Sequence, residues 1–269
     1  MFRAENLMEQ IDSGSILVGT HVSLDTPYVS EMLGECGFDC IWIDAEHCAL
    51  DRSDIQNHLL ACKASDTAGI VRVPANDPML LKSIMDMGAD GVIVPMVNSV
   101  EDAQKLAKAT HYPPNGIRGM GLRRAVNYGL GDKSAYLKNT DRALLTFAQF
   151  EDIRALDELE EIVKVDGISG FIIGPNDFSI SMNTESVWHT PQDEEVKEKL
   201  EEAARIIKAS GKLFGVSGVY SESFVKYWLN LGVNIIFVNF DFHYIVQGGK
   251  TALAGTKEAI QQLESKEKE

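Results

Sequence analysis

Short apolar runs recur along the chain, separated by stretches whose apolar residues fall three and four positions apart. The runs are Ile16–His21, Asp39–Asp44, Gly69–Val73, Asp90–Val94, Leu144–Gln149, Gly170–Ile173, Lys212–Val216 and Asn234–Asn239. Each is rich in Ile, Val, Leu or Phe and bounded by Gly, Pro or Asp, which predicts a strand. The spacing between them predicts helices over Asp54–Ala64, Leu80–Met87, Val100–Thr110, Asp157–Val165, Asp193–Ala209 and Ser223–Leu231. Ser99 and the acidic residues after it suit a helix N-terminus at Val100. The Asp193–Ala209 stretch starts acidic and ends basic, as the helix dipole favours.

Strands that alternate with helices build a parallel sheet buried on both faces. Eight of them predict a closed (β/α)₈ TIM barrel, one domain over residues 1–269. A doubly wound open sheet would need a Gly-rich phosphate turn after its first strand. The chain has Val22-Ser23-Leu24-Asp25 there. The longest irregular stretch, His111–Asp132, carries Pro113, Pro114 and several glycines. A loop of that length is functional or disordered. The tail Gln261–Glu269 is charged and expected to fray.

Composition narrows the partners. The net charge of −15 opposes nucleic acid and anionic membrane surfaces. An anionic substrate would need local positive charge, from arginine or a bound cation. Cys36, Cys40, Cys48 and Cys62 form no C-x₂-C pair and read as reduced, partly buried thiols of a cytoplasmic protein. The first ten residues carry charges and no apolar run, so no signal peptide is read. No run of ~18 apolar residues suggests a membrane span.

In such barrels the active site lies at the C-terminal ends of the strands. Those ends read Asp44-Ala45-Glu46-His47, Arg72-Val73-Pro74, Gln149-Phe150-Glu151, Gly174-Pro175-Asn176-Asp177 and Asn239-Phe240-Asp241. One rim therefore collects carboxylates, a histidine and an arginine. Glu151 and Asp177, on adjacent strand ends, suit a hard divalent cation such as Mg²⁺, Mn²⁺ or Co²⁺. His21 is either structural or part of the same mouth. His58, His111, His189 and His243 read as surface or packing residues. Arg118, Arg123 and Arg124 either meet a distal substrate carboxylate or make subunit contacts.

Several segments together resemble the HpcH/HpaI aldolase family of class II pyruvate aldolases. They are Ile43-Asp44-Ala45-Glu46-His47, Val71-Arg72-Val73-Pro74 and Asp90-Gly91-Val92-Ile93-Val94-Pro95-Met96-Val97. Tyr112-Pro113-Pro114-Asn115-Gly116-Ile117-Arg118-Gly119, Gln149-Phe150-Glu151 and Ile173-Gly174-Pro175-Asn176-Asp177 complete the set. The resemblance runs from about Gly19 to Asp241. It implies a metal-dependent carbon–carbon lyase that cleaves 4-hydroxy-2-oxo acids to pyruvate and an aldehyde. Glu151 and Asp177 match the metal ligands, and Arg72 the arginine on the pyruvyl or enolate oxygen. His47 with Asp44 matches the base and its orienting carboxylate. Gln149 matches a residue near the oxo acid, and Gly174, Pro175 and Asn176 the turn that holds its carboxylate. Asp86 matches an acid that reaches a neighbouring subunit's site. The family implies a homo-oligomer, a trimer or hexamer, with the last helix exchanged between barrels.

The roles make physical sense. Aldol cleavage leaves negative charge on an enolate oxygen, which a divalent ion and a fixed guanidinium stabilise. The 4-hydroxyl must lose a proton, and a histidine can take it near neutral pH. Cys48, Asn176, Phe178 and Asn183 depart from the family pattern around the pocket and bear on substrate choice. An oxaloacetate-type decarboxylase and a non-catalytic oxo-acid-binding oligomer are the alternatives. A citryl-CoA-type lyase is disfavoured, since no basic patch for the coenzyme's phosphates is evident.

Overall fold

All strand neighbours pair in parallel. Strands β1 (Leu17–Val22), β2 (Cys40–Asp44), β3 (Ala68–Arg72), β4 (Gly91–Val94), β5 (Leu145–Phe150), β6 (Gly170–Ile173), β7 (Leu213–Gly218) and β8 (Ile235–Phe240) close in chain order, β8 returning to β1. This computed structural model describes residues 3–266. Each strand lies within two residues of its predicted run at either end. The expected (β/α)₈ barrel is the observed fold.

The helices are α1 (Arg3–Asp12), α2 (Pro27–Glu35), α3 (Arg52–Ala64), α4 (Pro78–Asp86), α5 (Val100–Thr110), α6 (Lys133–Lys138), α7 (Thr140–Ala143), α8 (Leu159–Ile162), α9 (Pro175–Ser181), α10 (Glu194–Ala209), α11 (Glu222–Leu231) and α12 (Asp241–Lys266). The strand pleat sends alternate side chains to opposite faces. Leu17, Trp42, Ile70, Phe147, Ile172 and Phe237 fill the lumen, and Ala4 and Leu7 of α1 close its N-terminal end. Ile41, Ile43, Val71, Val92, Ala148 and Val216 face the helices. Burying each Val, Leu, Ile or Phe among them contributes ~1.5–3 kcal/mol. A Cβ at Gly19 would lie 2.5 Å from the Phe237 ring, so only glycine fits there.

Local chemistry sets the helix ends. Asp51 and Asp54 form a reciprocal capping box on α3, and Ser99 accepts from the Asp102 N–H at the start of α5 as predicted. The helix predicted over Asp157–Val165 is shorter: Asp152 caps an earlier 3₁₀ turn, Ile153–Glu158, and α8 follows it. The tail expected to fray from Gln261 is helical through Lys266, and its last three residues lie outside those described. Beyond Tyr244, α12 leaves the barrel and exposes Ile245, Val246, Leu253, Ile260 and Leu263.

The stretch from His111 to Asp132 is pinned by two inserted arginines. Arg118 is buried with its guanidinium 4.6 Å from the Tyr112 ring centre, bonded to Asp86 and the Tyr136 hydroxyl. Arg124 donates to the carbonyls of Leu59, Met87 and Gly88. Both lie at the ends of α4 and α5 that point away from the barrel mouth. All four cysteines are free, with Cys40 and Cys62 buried. Among the described residues, no helix is long and apolar enough to cross a membrane.

Candidate active site

The pleat that fills the lumen also builds its upper ring. Two residues beyond Trp42, Ile70 and Phe147 on the same strand faces stand Asp44, Arg72 and Gln149. His21 and Ser217 complete the ring from β1 and β7, bonded to each other at 2.8 Å.

Asp44 and Arg72 sit opposite each other in the β2–β3 register. Arg72 grips Asp44 with two parallel bonds, Nε to Oδ1 at 3.0 Å and Nη2 to Oδ2 at 2.7 Å. Its Nη1 lies 3.0 Å from Glu46 Oε2, and its guanidinium carbon 5.0 Å from the Trp42 ring centre. Two of the five guanidinium N–H groups are bonded to Asp44; three remain on the terminal nitrogens, and Glu46 Oε2 meets them as an ion pair without a hydrogen bond. Burial pushes the Asp44 carboxyl up, but the Arg72 hydrogen bonds and charge outweigh it and hold the group below its usual range.

The Asp44 carboxylate does not meet the His47 ring. It accepts the backbone N–H groups of Glu46 and His47, and Cys48 Sγ approaches at 3.5 Å. The His47 side chain is 63% exposed, and its Nε2 faces Glu46 Oε2 at 3.6 Å. The reason is geometric: the Asp44 oxygens are consumed by an arginine on the neighbouring strand. Glu46 is thus the carboxylate beside the histidine, a role the sequence reading left unassigned. Burial, against the Arg72 charge, raises its carboxyl above the ordinary value.

Glu151 directly follows β5 and is almost fully buried. Its Oε1 accepts the Met96 N–H at 2.8 Å, and its Oε2 accepts Gln149 Nε2, which leaves Gln149 Oε1 without a protein partner. Burial, with the charges of Glu46 and Asp177, pushes the Glu151 carboxyl up to about 7 against the Met96 hydrogen bond. Met96 holds this bond with a left-handed backbone, φ +55°. No sequence signal marks such a methionine.

Gly174 follows β6 and starts a turn into α9, where Asn176 and Asp177 are exposed. The Gly174 N–H is taken by the Phe150 carbonyl and Pro175 has none, so Asn176 carries the turn's remaining N–H. Asp86 lies elsewhere, at the far end of α4, where Arg118 Nη2 holds it at 3.2 Å. A Cβ at Gly121 would come 2.3 Å from its Oδ2. His21 is buried against Trp42 and Phe240. Burial and the Arg72 charge lower its pKa to about 3, so it is neutral.

A divalent cation fits this donor set. Glu46, Glu151 and Asp177 are neighbouring carboxylates; burial first, and then the charges of Glu46 and Asp177, raise the Glu151 carboxyl, and a bound cation would relieve that repulsion. Among the described residues no three His, Cys, Asp or Glu side chains form a ready ligand shell. Two protein carboxylates would leave the other positions to water and substrate oxygens.

The model of the HpcH/HpaI aldolase/citrate lyase family matches residues 17–246. The chain belongs to this family. Within the HpcH/HpaI family, it is 31% identical to a hydroxypyruvate/pyruvate aldolase of Roseovarius nubinhibens over 90% of this chain and 93% of the relative. It is 32% identical to the 4-hydroxy-2-oxo-heptane-1,7-dioate aldolase of Klebsiella pneumoniae over 91% of each. The fold matches the crystal structure of an HpcH/HpaI aldolase from Desulfitobacterium hafniense with a TM-score of 0.86, 23% identity and 96% and 97% coverage.

Proposed function

We propose that this HpcH/HpaI family member cleaves a 4-hydroxy-2-oxo acid to pyruvate and an aldehyde. Its class follows from the family: a divalent-metal-dependent class II pyruvate aldolase, a carbon–carbon lyase. One observation carries the reading. Arg72, fixed by Asp44 over Trp42, shares a barrel mouth with the carboxylates Glu151 and Asp177. The names of the relatives favour neither the decarboxylase nor the non-catalytic alternative.

Glu151 and Asp177 would hold the cation, which when bound withdraws electron density from the 2-oxo carbonyl. Mg²⁺, Mn²⁺ and Co²⁺ are the ions proposed. Gln149 and the Met96 N–H fix the Glu151 carboxylate. The Asn176 N–H in the Gly174–Asn176 turn binds the substrate carboxylate. Arg72 directs N–H groups not bonded to Asp44 at the oxygen that becomes the enolate. His47, at the open mouth, takes the proton of the 4-hydroxyl as the C3–C4 bond breaks. The bond's electrons pass into the enolate, the aldehyde leaves, and C3 then takes a proton to give pyruvate.

Asp86 is proposed to act on a neighbouring subunit's site, since its own barrel's mouth is at the opposite end. The exposed apolar residues of α12 support a homo-oligomer in which this helix covers a second barrel; a trimer or hexamer in the cytoplasm is proposed. The test is pyruvate release from a 4-hydroxy-2-oxo acid, read with a coupled dehydrogenase, before and after EDTA and with each metal restored. Pyruvate that disappears with chelator and returns with metal is expected. Its absence with every metal overturns the reading.

A further inference from the structure

The ring of side chains at the barrel mouth has a gap at β6. Gly174 is the next lumen-facing position after Ile172, and the β6–β7 register, Ile172 to Gly215 and Ile173 to Val216, sets it level with Ser217. Glycine places no side chain in the lumen there. A Cβ would meet Gln149 Nε2 at 3.3 Å and Glu151 Oε2 at 3.5 Å. The gap therefore lies between Gln149 and Glu151 on β5 and Ser217 on β7, at the turn assigned to the oxo acid's carboxylate.

That turn is short of donors. The Gly174 N–H is bonded to the Phe150 carbonyl, and Pro175 has none. An ionised carboxylate has room for about four hydrogen bonds. Gln149 Nε2 is turned to Glu151, whose charge repels an anion. Half-buried Ser217 brings a hydroxyl from the other side, and it borders the same recess as Asn176.

His21 decides which way that hydroxyl points. Its ring is held between Trp42, stacked at 4.4 Å, and Phe240, also at 4.4 Å, with Nε2 2.8 Å from Ser217 Oγ. Its Nδ1 is buried without a partner. The neutral ring carries one proton. On Nδ1 that proton would be a buried donor with no acceptor, whereas on Nε2 it bonds Ser217 Oγ. Ser217 then accepts from His21, and its own O–H is left to donate into the gap.

We propose that the Ser217 hydroxyl binds the substrate's carboxylate and that His21 is a positioning residue acting through it. The assignment rests on the aldolase reading above and adds two residues to its oxo-acid half.

The test uses the full-length enzyme with Mn²⁺ and pyruvate. Deuterium exchange into the pyruvate methyl group, followed by NMR, gives kcat and KM for enolate formation. The carboxylate is held alike in the ground and transition states, so losing one of its bonds raises KM and spares kcat. Ser217→Ala is expected to raise KM about 10-fold or more, as for a hydrogen bond to a charged group, with kcat within about two-fold. His21→Phe should raise KM too, and His21→Gln, which keeps an N–H donor, should restore most of it. Mn²⁺ affinity, by calorimetry without pyruvate, should be unchanged in all three variants. An unchanged KM in Ser217→Ala, or a fall in kcat alone, overturns the assignment and leaves the aldolase reading standing. A wild-type KM in His21→Phe overturns the positioning role. Exchange absent from the wild-type enzyme with every metal overturns the aldolase reading and this assignment with it.

Discussion

The backbone N–H of Met96 donates to Glu151 Oε1 at 2.8 Å, across the ends of β4 and β5. Met96 reaches it only by holding φ at +55°. A left-handed conformation costs a non-glycine residue ~1–2 kcal/mol, against about 0.5–1 kcal/mol for the added chain freedom of glycine. Met96→Gly is therefore expected to lose no stability in thermal melts and to keep its metal affinity. A fall in melting temperature comparable to that of a core deletion would show that the methionine side chain, not the bond, sets this backbone.

Glu151→Gln and Asp177→Asn should fold normally, since neither side chain belongs to a hydrophobic cluster. Calorimetry should show metal affinity falling by more than the ~10–100-fold that losing a supporting hydrogen bond costs. Activity should vanish. Normal turnover in either variant after chelator treatment would remove these residues from the metal site.

Arg72 and Asp44 depend on each other. Arg72→Ala leaves Asp44, 1% exposed, buried without a counter-charge, at a cost of about 3–5 kcal/mol. Arg72→Lys keeps a charge but not the two-pronged grip. It should fold better than Arg72→Ala while kcat drops ~10²–10³-fold. Urea denaturation and steady-state kinetics on the two variants check both limbs.

His21 sets a pH dependence of known sign. Its pKa in the folded protein, about 3, lies below the ordinary 6.5 because burial and Arg72 oppose the charged ring. A depressed value means that its contribution is complete above pH 6.5 and is lost as pH falls toward 3. Between those limits the loss approaches one proton's worth, about 1.4 kcal/mol per pH unit. His21→Phe should flatten that slope in urea denaturation measured at a series of pH values. Equal slopes in both proteins would show that His21 does not carry the acid limb.

The barrel was legible because a parallel sheet buried on both faces leaves uninterrupted apolar runs such as Ile41–Ile43 and Ile70–Val71. The missing helices have specific causes. Pro175, Asn176 and Asp177 were read as a rim turn, although a proline at the first position also starts a helix, here α9. The glycines at 248, 249 and 255 broke the pattern of α12. At the rim, strand-end position picked out Asp44, Arg72, Glu151 and Asp177. Their partners were not legible in the same way. Asp44 turned to Arg72 rather than His47 because the two stand opposite in register, a fact of pairing between strands. The Met96–Glu151 bond depends on a backbone angle that methionine does not advertise.

Trp42 lies beneath both Arg72 and His21, its ring 5.0 Å from the guanidinium carbon and stacked at 4.4 Å on the imidazole. Indole emission responds to nearby charge, so an anion arriving at Arg72 changes the light this residue gives off. Trp188 stands 78% exposed and can be silenced by a soluble quencher, while Trp228 is buried against Phe214 and Phe224, apart from the ring that holds Arg72. The protein thus carries its own optical gauge of what reaches Arg72, readable without a coupled assay or an added label.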